Sequence, residues 1–170
     1  MKLQMRSKIA SIHNKIEVTD EYGEAVYHIQ SKVVSIHDTT FLKRADGGDI
    51  ATITRKVVSL HDTHFIEMND GRTVEIRPEL LHLTKDVVDI DALGWKLVGD
   101  IVQHNYQLLD AQGQILAEIH RKWISLHNTY EIDVRQEDSL DMIVAVLIAL
   151  DKIVEDRRRT MASSSSSSGD

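Results

Sequence analysis

A mainly β fold is what the sequence predicts: a closed antiparallel barrel of about twelve strands, built from six hairpin repeats, with a hydrophobic C-terminal helix buried inside it. Three observations lead there. One phrase recurs along the chain, turn chemistry interrupts period-two stretches every ten to twelve residues, and a single all-apolar run stands near the C-terminus.

The phrase Lys32-Val33-Val34-Ser35-Ile36-His37-Asp38-Thr39 returns 24 residues later as Lys56-Val57-Val58-Ser59-Leu60-His61-Asp62-Thr63. It occurs earlier as Lys8-Ile9-Ala10-Ser11-Ile12-His13-Asn14 and later as Lys122-Trp123-Ile124-Ser125-Leu126-His127-Asn128-Thr129. Two degenerate copies keep His82 and His104, so six histidines, at 13, 37, 61, 82, 104 and 127, mark six units in steps of 24, 24, 21, 22 and 23.

Each unit reads as a strand pair. Tyr130, Ile132 and Val134, or Ile115, Ala117 and Ile119, alternate with the period of a half-buried strand. One set of turns carries glycine, at Glu21-Tyr22-Gly23, Ala45-Asp46-Gly47-Gly48, Asn69-Asp70-Gly71 and Ala111-Gln112-Gly113, where positive φ is cheap. The other set is the His-Asp or His-Asn step. Twelve strands would leave two exposed edges unless the sheet closes on itself. The lone proline, Pro78, falls in the weakest copy and marks a strand edge, bulge or loop, so residues 80–91 are the least regular part of the strand map. Arg55 shares the parity of Ile53 and Val57, and Arg121 that of Ile119 and Trp123, which would aim both at the core. A β-bulge turning each arginine outward is expected here, in preference to a buried charge that would require a partner.

The pattern changes after Val134. Glu137-Asp138-Ser139-Leu140-Asp141 leads into an unbroken apolar run from Met142 to Leu150, then Asp151-Lys152-Ile153-Val154-Glu155. Acidic residues and a candidate Ser139 cap at the start, with Lys152 and Arg157-Arg158-Arg159 toward the end, suit a helix dipole over about 138–156. A helix apolar all round must be buried on every side. Nine apolar residues between Asp141 and Asp151 are far short of the about 20 that span a bilayer, so a core helix is expected. Twelve strands would enclose more space than their own side chains fill, and this helix would plug it. Residues 1–156 thus form one barrel domain. Residues 157–170, basic and then rich in serine from Ser163 to Ser168, are expected to be a disordered tail.

Composition removes several classes of function. The 170 residues include no cysteine, which excludes thiol catalysis, zinc ribbons and redox motifs. A formal charge of -7, from 20 basic and 27 acidic side chains, with no long basic stretch, argues against duplex nucleic acid as a partner. Met1 to Lys8 lacks an apolar signal core, and a cytoplasmic monomer is expected.

Three segments carry a resemblance. Lys122-Trp123-Ile124-Ser125-Leu126-His127-Asn128-Thr129-Tyr130-Glu131-Ile132 resembles the closing strand pair of the LURP-one-related proteins. Gly94-Trp95-Lys96-Leu97-Val98-Gly99-Asp100 followed by Asn105-Tyr106 is similar to that family's central motif, and the apolar C-terminal helix sits where the family has one. The resemblance covers about residues 1–154 and is nearest in size to the short single-domain prokaryotic members. It implies the tubby C-terminal-like fold, a twelve-stranded barrel around a central hydrophobic helix. One departure stands out: His37, His61 and His127 occupy a turn position that is commonly Gly in the family. The structural relatives include phosphoinositide-binding tubby domains and phospholipid scramblases, but no tubby-type phosphoinositide motif is present, and the acidic net charge weighs against that binding.

The nine histidines, His13, His28, His37, His61, His64, His82, His104, His120 and His127, are the obvious candidates for chemistry. Six of them recur in one turn position, at spacings of about 10 Å around a barrel, too wide to share a zinc ion. They read as structural turn residues, ahead of a pH-responsive rim and of a local metal pair such as His61 and His64. The Ser-[Ile/Leu]-His step invites a hydrolase reading, yet it recurs in four copies without a glycine elbow, which marks a folding motif. Acidic pairs such as Asp89 and Asp91, or Glu137 and Asp138, fit turn solvation and helix capping. No catalytic residue, metal ligand or cofactor is assigned, and no ligand-binding residue is singled out. The expectation is a non-enzymatic binding module for a lipid, a small molecule or a protein. Its alternatives are a scramblase-like or membrane-tethered protein using its apolar helix or basic tail, and a histidine-based pH or metal sensor.

Overall fold

The structure, a computed structural model, describes residues 1–7, 15–34, 37–58, 61–76, 87–90, 92–101, 103, 105–124 and 127–165. The chain forms β1 (Lys2–Ser7), β2 (Lys15–Asp20), β3 (Ala25–Val34), β4 (His37–Arg44), β5 (Asp49–Val58) and β6 (His61–Met68). It continues through β7 (Thr73–Ile76), β8 (Val87–Ile90), β9 (Trp95–Asp100), β10 (Asn105–Leu109), β11 (Ile115–Ile124) and β12 (His127–Val134). A 3-10 turn, Glu137–Ser139, leads into α1 (Leu140–Ser165).

All twelve strands lie in one antiparallel sheet, in the order β7-β6-β5-β4-β3-β2-β1-β12-β11-β10-β9-β8. Sequential hairpins account for this order except at one place, where β1 pairs with β12 and joins the two halves of the chain. The barrel is nearly closed. β7 and β8 stand at the two ends of the order, and residues 77–86, with Pro78 and His82, lie outside the described residues.

The glycine turns set the twist. Gly23, Gly47, Gly71 and Gly113 all take positive φ, between 80 and 93°, closing tight hairpins in which Asp20 and Asp110 side chains also accept backbone N–H groups. Next to three of these turns the register slips by one residue, at Val18/Thr19, Leu42/Lys43 and Leu108/Leu109, leaving Val26, Ile50 and Leu116 unopposed. Each bulged carbonyl is used by the segment that follows the next strand. Ala45 N–H donates to Val26 O at 2.9 Å, Asn69 N–H to Ile50 O at 2.8 Å, and Arg135 N–H to Leu116 O at 2.8 Å. A bulge increases local twist, and here its freed acceptor also docks the segment after the next strand, which curves the sheet at these three places. Gly99 has a separate reason to be glycine. It lies opposite Tyr106 with φ +119°, and a Cβ there would come within 2.7 Å of Asn105 O.

The helix fills the bore. Every residue from Met142 to Leu150 is at most 3 % exposed, and nine successive residues of a 3.6-residue helix point in every direction, so α1 is enclosed on all sides. It packs within one apolar cluster against the inward faces of the strands, including Leu3, Tyr27, Ile53, Leu97, Leu108 and Ile132. No helix among the described residues is long and apolar enough to cross a membrane. Ser139 precedes α1 as the last residue of the 3-10 turn. The helix continues through Ser165, past the end expected near 156, so Arg157-Arg158-Arg159 belong to its body. Extending a helix already held in place adds a hydrogen bond for each residue fixed, whereas starting one is costly.

Candidate functional site

Hairpins β3–β4, β5–β6 and β11–β12 share one register, so the repeat stacks its inward side chains in levels. Ile29 opposite Leu42, Ile53 opposite Ile66 and Ile119 opposite Ile132 form a buried apolar level. Two residues nearer the histidine-bearing turns the inward pairs become polar: Ser31 with Thr40, Arg55 with His64, and Arg121 with Tyr130.

The helix changes character to match. After Leu150 come Asp151, Lys152 and Asp156, and the Asp156 carboxylate lies 3.6 Å from Arg55 Nη1 and 3.9 Å from His64 Nε2. His64 is only 2 % exposed, so its place in the wall is fixed by packing. Ser31 and Thr40 hydroxyls hydrogen-bond each other at 2.9 Å. Asp38, Thr40, Ile53, Arg55, His64, Lys152 and Asp156 bound a cavity of about 10 Å³, room for about one water molecule. Across the bore, burial pushes the Tyr106 hydroxyl far above its ordinary value, with the Asp151 carboxylate and then Tyr130 adding to the shift.

That shift carries a pH prediction. A raised folded-state value means the folded state holds the phenolic proton more tightly, so this contribution is complete below the ordinary pKa of 10.0 and is lost as pH rises above it. Urea midpoints measured up to strongly alkaline pH are expected to fall more steeply for the wild type than for Tyr106→Phe. Parallel curves would mean that the hydroxyl is not held protonated.

Outside the wall, at the same level, the repeat places Lys32, Lys56 and Lys122. Lys32 Nζ sits 5.5 Å from the Phe41 ring centroid and Lys56 Nζ 5.0 Å from that of Phe65, within cation–π range. Lys122 instead pairs with Glu131, which holds the repeat position of those phenylalanines. A second concavity, of about 130 Å³, lies on the outer face of β1, β12 and β11, among Gln4, Glu118, His120, Glu131 and Asp133. Three of its carboxylates already have cationic neighbours: Arg135 reaches Glu118 and Asp133, and Lys122 reaches Glu131.

Several sequence expectations meet their outcome here. The ladders run without a register shift through Arg55 and Arg121, so the expected outward-turning bulges are absent there; the bulges sit at the other end of the hairpins. Both arginines keep inward parity and are half-buried, and for Arg55 the ion partner is Asp156 of the central helix. Of the histidines, His28 and His120 are exposed and His64 is buried. His13, His82 and His104 lie outside the described residues, as do the side chains of His37, His61 and His127 and the serines of the Ser-[Ile/Leu]-His steps. Glu137 and Asp138 are exposed in the 3-10 turn, and Asp89 is exposed beside Lys96, while Asp91 lies outside the described residues. Among the described residues no group of three or more histidines and carboxylates could hold a metal ion. His64 and Arg55 were legible as a pair only by aligning the repeats, which sets them against Thr40 and Ser31.

A family model described as LURP-one-related matches residues 1–151. The chain belongs to the LURP-one-related family. A curated relative, the uncharacterized protein YxjI of Bacillus subtilis (strain 168), is 26 % identical over 65 residues, which make up 38 % of this chain and 40 % of YxjI. The chain thus spans about two-fifths of that relative's length. An X-ray structure of a protein from Arabidopsis thaliana superimposes with a TM-score of 0.51 over 88 % of this chain and 91 % of that one, at 13 % identity, a likeness of fold. A helix-filled, nearly closed twelve-stranded barrel is therefore the architecture of this LURP-one-related chain, as its hairpin count predicts.

Proposed function

We propose that this LURP-one-related barrel is a non-enzymatic binding module that meets its partner with the rim at the histidine-turn end, and not with its interior. The observation that carries this is the all-round burial of Met142 to Leu150, which fills the space that ligand-carrying barrels leave open. At the rim, Arg55 pairs with Asp156 in the mouth with His64 beside them, and the Asp156–His64 separation of 3.9 Å is too long for the hydrogen-bonded relay that an activated nucleophile needs. What the rim offers a partner is a fixed pattern of charge.

The test is an apolar dye, 1-anilinonaphthalene-8-sulfonate. Its fluorescence is expected to stay at the buffer level with the folded protein and to rise only as the barrel unfolds. A saturable, stoichiometric rise with the folded protein would place ligand binding in the interior and overturn the reading.

A further inference from the structure

We infer that the partner of this rim is the surface of an anionic lipid bilayer, met with the barrel axis upright; the inference rests on the rim reading above. It starts from how the charge is distributed. At the glycine-turn end exposed acids, Glu21, Glu24, Asp46, Asp49, Asp70, Glu137 and Asp138 among them, outnumber the exposed cations Lys2, Arg44, Arg72, Lys96 and Arg135. At the histidine-turn end the repeat sets Lys32, Lys56 and Lys122 outward at one level, and Lys152 stands in the mouth they surround. The charge of -7 is therefore a net value for a polarised molecule.

The helix adds to the same end. α1 starts beside Tyr27 and Arg44, passes Arg55 and His64 at Asp156, and runs on through Ser165. This carries the backbone of Arg157, Arg158 and Arg159 beyond Val154, the last core residue among those described, by about 5 to 8 Å at 1.5 Å per residue.

Geometry favours a flat anionic sheet over a nucleic acid chain. Lys56 and Lys32 are two strands apart in the sheet order, about 10 Å, and Lys32 and Lys122 are four strands apart, about 19 Å. Points at one height on a barrel wall lie in a plane across its axis. They suit a surface whose charges are spread in two dimensions better than a line of phosphates. The Phe41 and Phe65 rings hold two of the ammonium groups at that level.

The acidic end does not forbid the contact. Strands of eight residues tilted as in a barrel span about 20 Å along its axis, more than two Debye lengths at physiological salt. Each basic side chain at an anionic membrane surface raises partitioning by about fivefold.

Flotation of the full chain with phosphatidylcholine vesicles, with and without phosphatidylserine, tests this. Binding is expected only to the phosphatidylserine vesicles, lost at high salt, and weakened by about 100-fold in K32Q/K56Q/K122Q. R157Q/R158Q/R159Q should weaken it as well, whereas K2Q/K96Q, the same change of charge type at the opposite end, should leave it unaltered. Unchanged melting temperatures show that the variants fold. No flotation with phosphatidylserine, equal losses from both ends, or binding to pure phosphatidylcholine would each overturn the bilayer assignment. So would tighter retention on single-stranded DNA than on vesicles. A negative flotation with a silent dye sinks the lipid partner alone, whereas dye uptake by the folded barrel sinks the rim reading itself.

Discussion

Val146→Asp is expected to abolish the folded barrel. Val146 is fully buried in the middle of α1 and belongs to the apolar core cluster. An unpaired carboxylate there costs several kcal/mol, and the lost valine contact adds about 1.5–3 kcal/mol. Against a typical total of about 5–15 kcal/mol this removes most or all of the stability. The scale of the helix's own contribution points the same way: the seven large apolar residues between Met142 and Leu150 contribute roughly 10–20 kcal/mol by burial, as an upper estimate. The measurement is thermal unfolding followed by near-ultraviolet circular dichroism. A cooperative transition within a few degrees of wild type would show that the helix is not enclosed. Tyr22→Asp, at a side chain 83 % exposed on a hairpin tip, is the matched control and should melt like wild type.

Tyr27→Phe is expected to lower stability by about 1.5–3 kcal/mol, more than any change at the neighbouring Arg44. The Tyr27 hydroxyl donates to Asp141 Oδ1 at 2.6 Å, and Arg44 Nη2 donates to Oδ2 at 2.6 Å, so one carboxylate ties the start of α1 to β3 and β4. Burial and then the Asp141 carboxylate push the Tyr27 hydroxyl well above its ordinary value, which keeps it a donor at all moderate pH. The two arms differ in solvent exposure. Tyr27 is fully buried, whereas the Arg44 side chain is half exposed, and an exposed ion pair contributes only about 0–1 kcal/mol. Chemical denaturation of Tyr27→Phe, Asp141→Asn and the double variant gives the coupling directly. The Tyr27 change should cost much less once Asp141 is gone, and additive losses would show that the short contact contributes nothing to the clasp.

Hairpins were legible because each sits within one repeat. Gly23, Gly47, Gly71 and Gly113 announce their turns by residue type, and the period-two stretches between them can only be strands. Arg55 shows where such reading stops. Its parity pointed inward, but its partner Asp156 lies 101 residues away on α1, and local pattern offers no view of a contact that long. The expected bulge was a local solution to a problem that the helix solves. The bulges that do exist, at Val26, Ile50 and Leu116, leave no mark in residue type, because what they do is supply a carbonyl to the segment after the next strand. The place of His64 beside Arg55 and Asp156, rather than in a metal pair with His61, was hidden for a related reason: six other histidines advertise the repeat, while this one stands in the polar level where Thr40 and Tyr130 stand in their own hairpins.

Period, turn chemistry and a short run apolar on all sides are properties of neighbouring residues, which is why the twelve strands, the antiparallel hairpins and the buried helix could be read along the chain. What lies at each end of the barrel is set only when the chain folds. There the charges of β3 to β6, β11 and α1 come together from distant parts of the chain, and whether an arginine is a liability or a tie depends on the carboxylate that the fold brings to it.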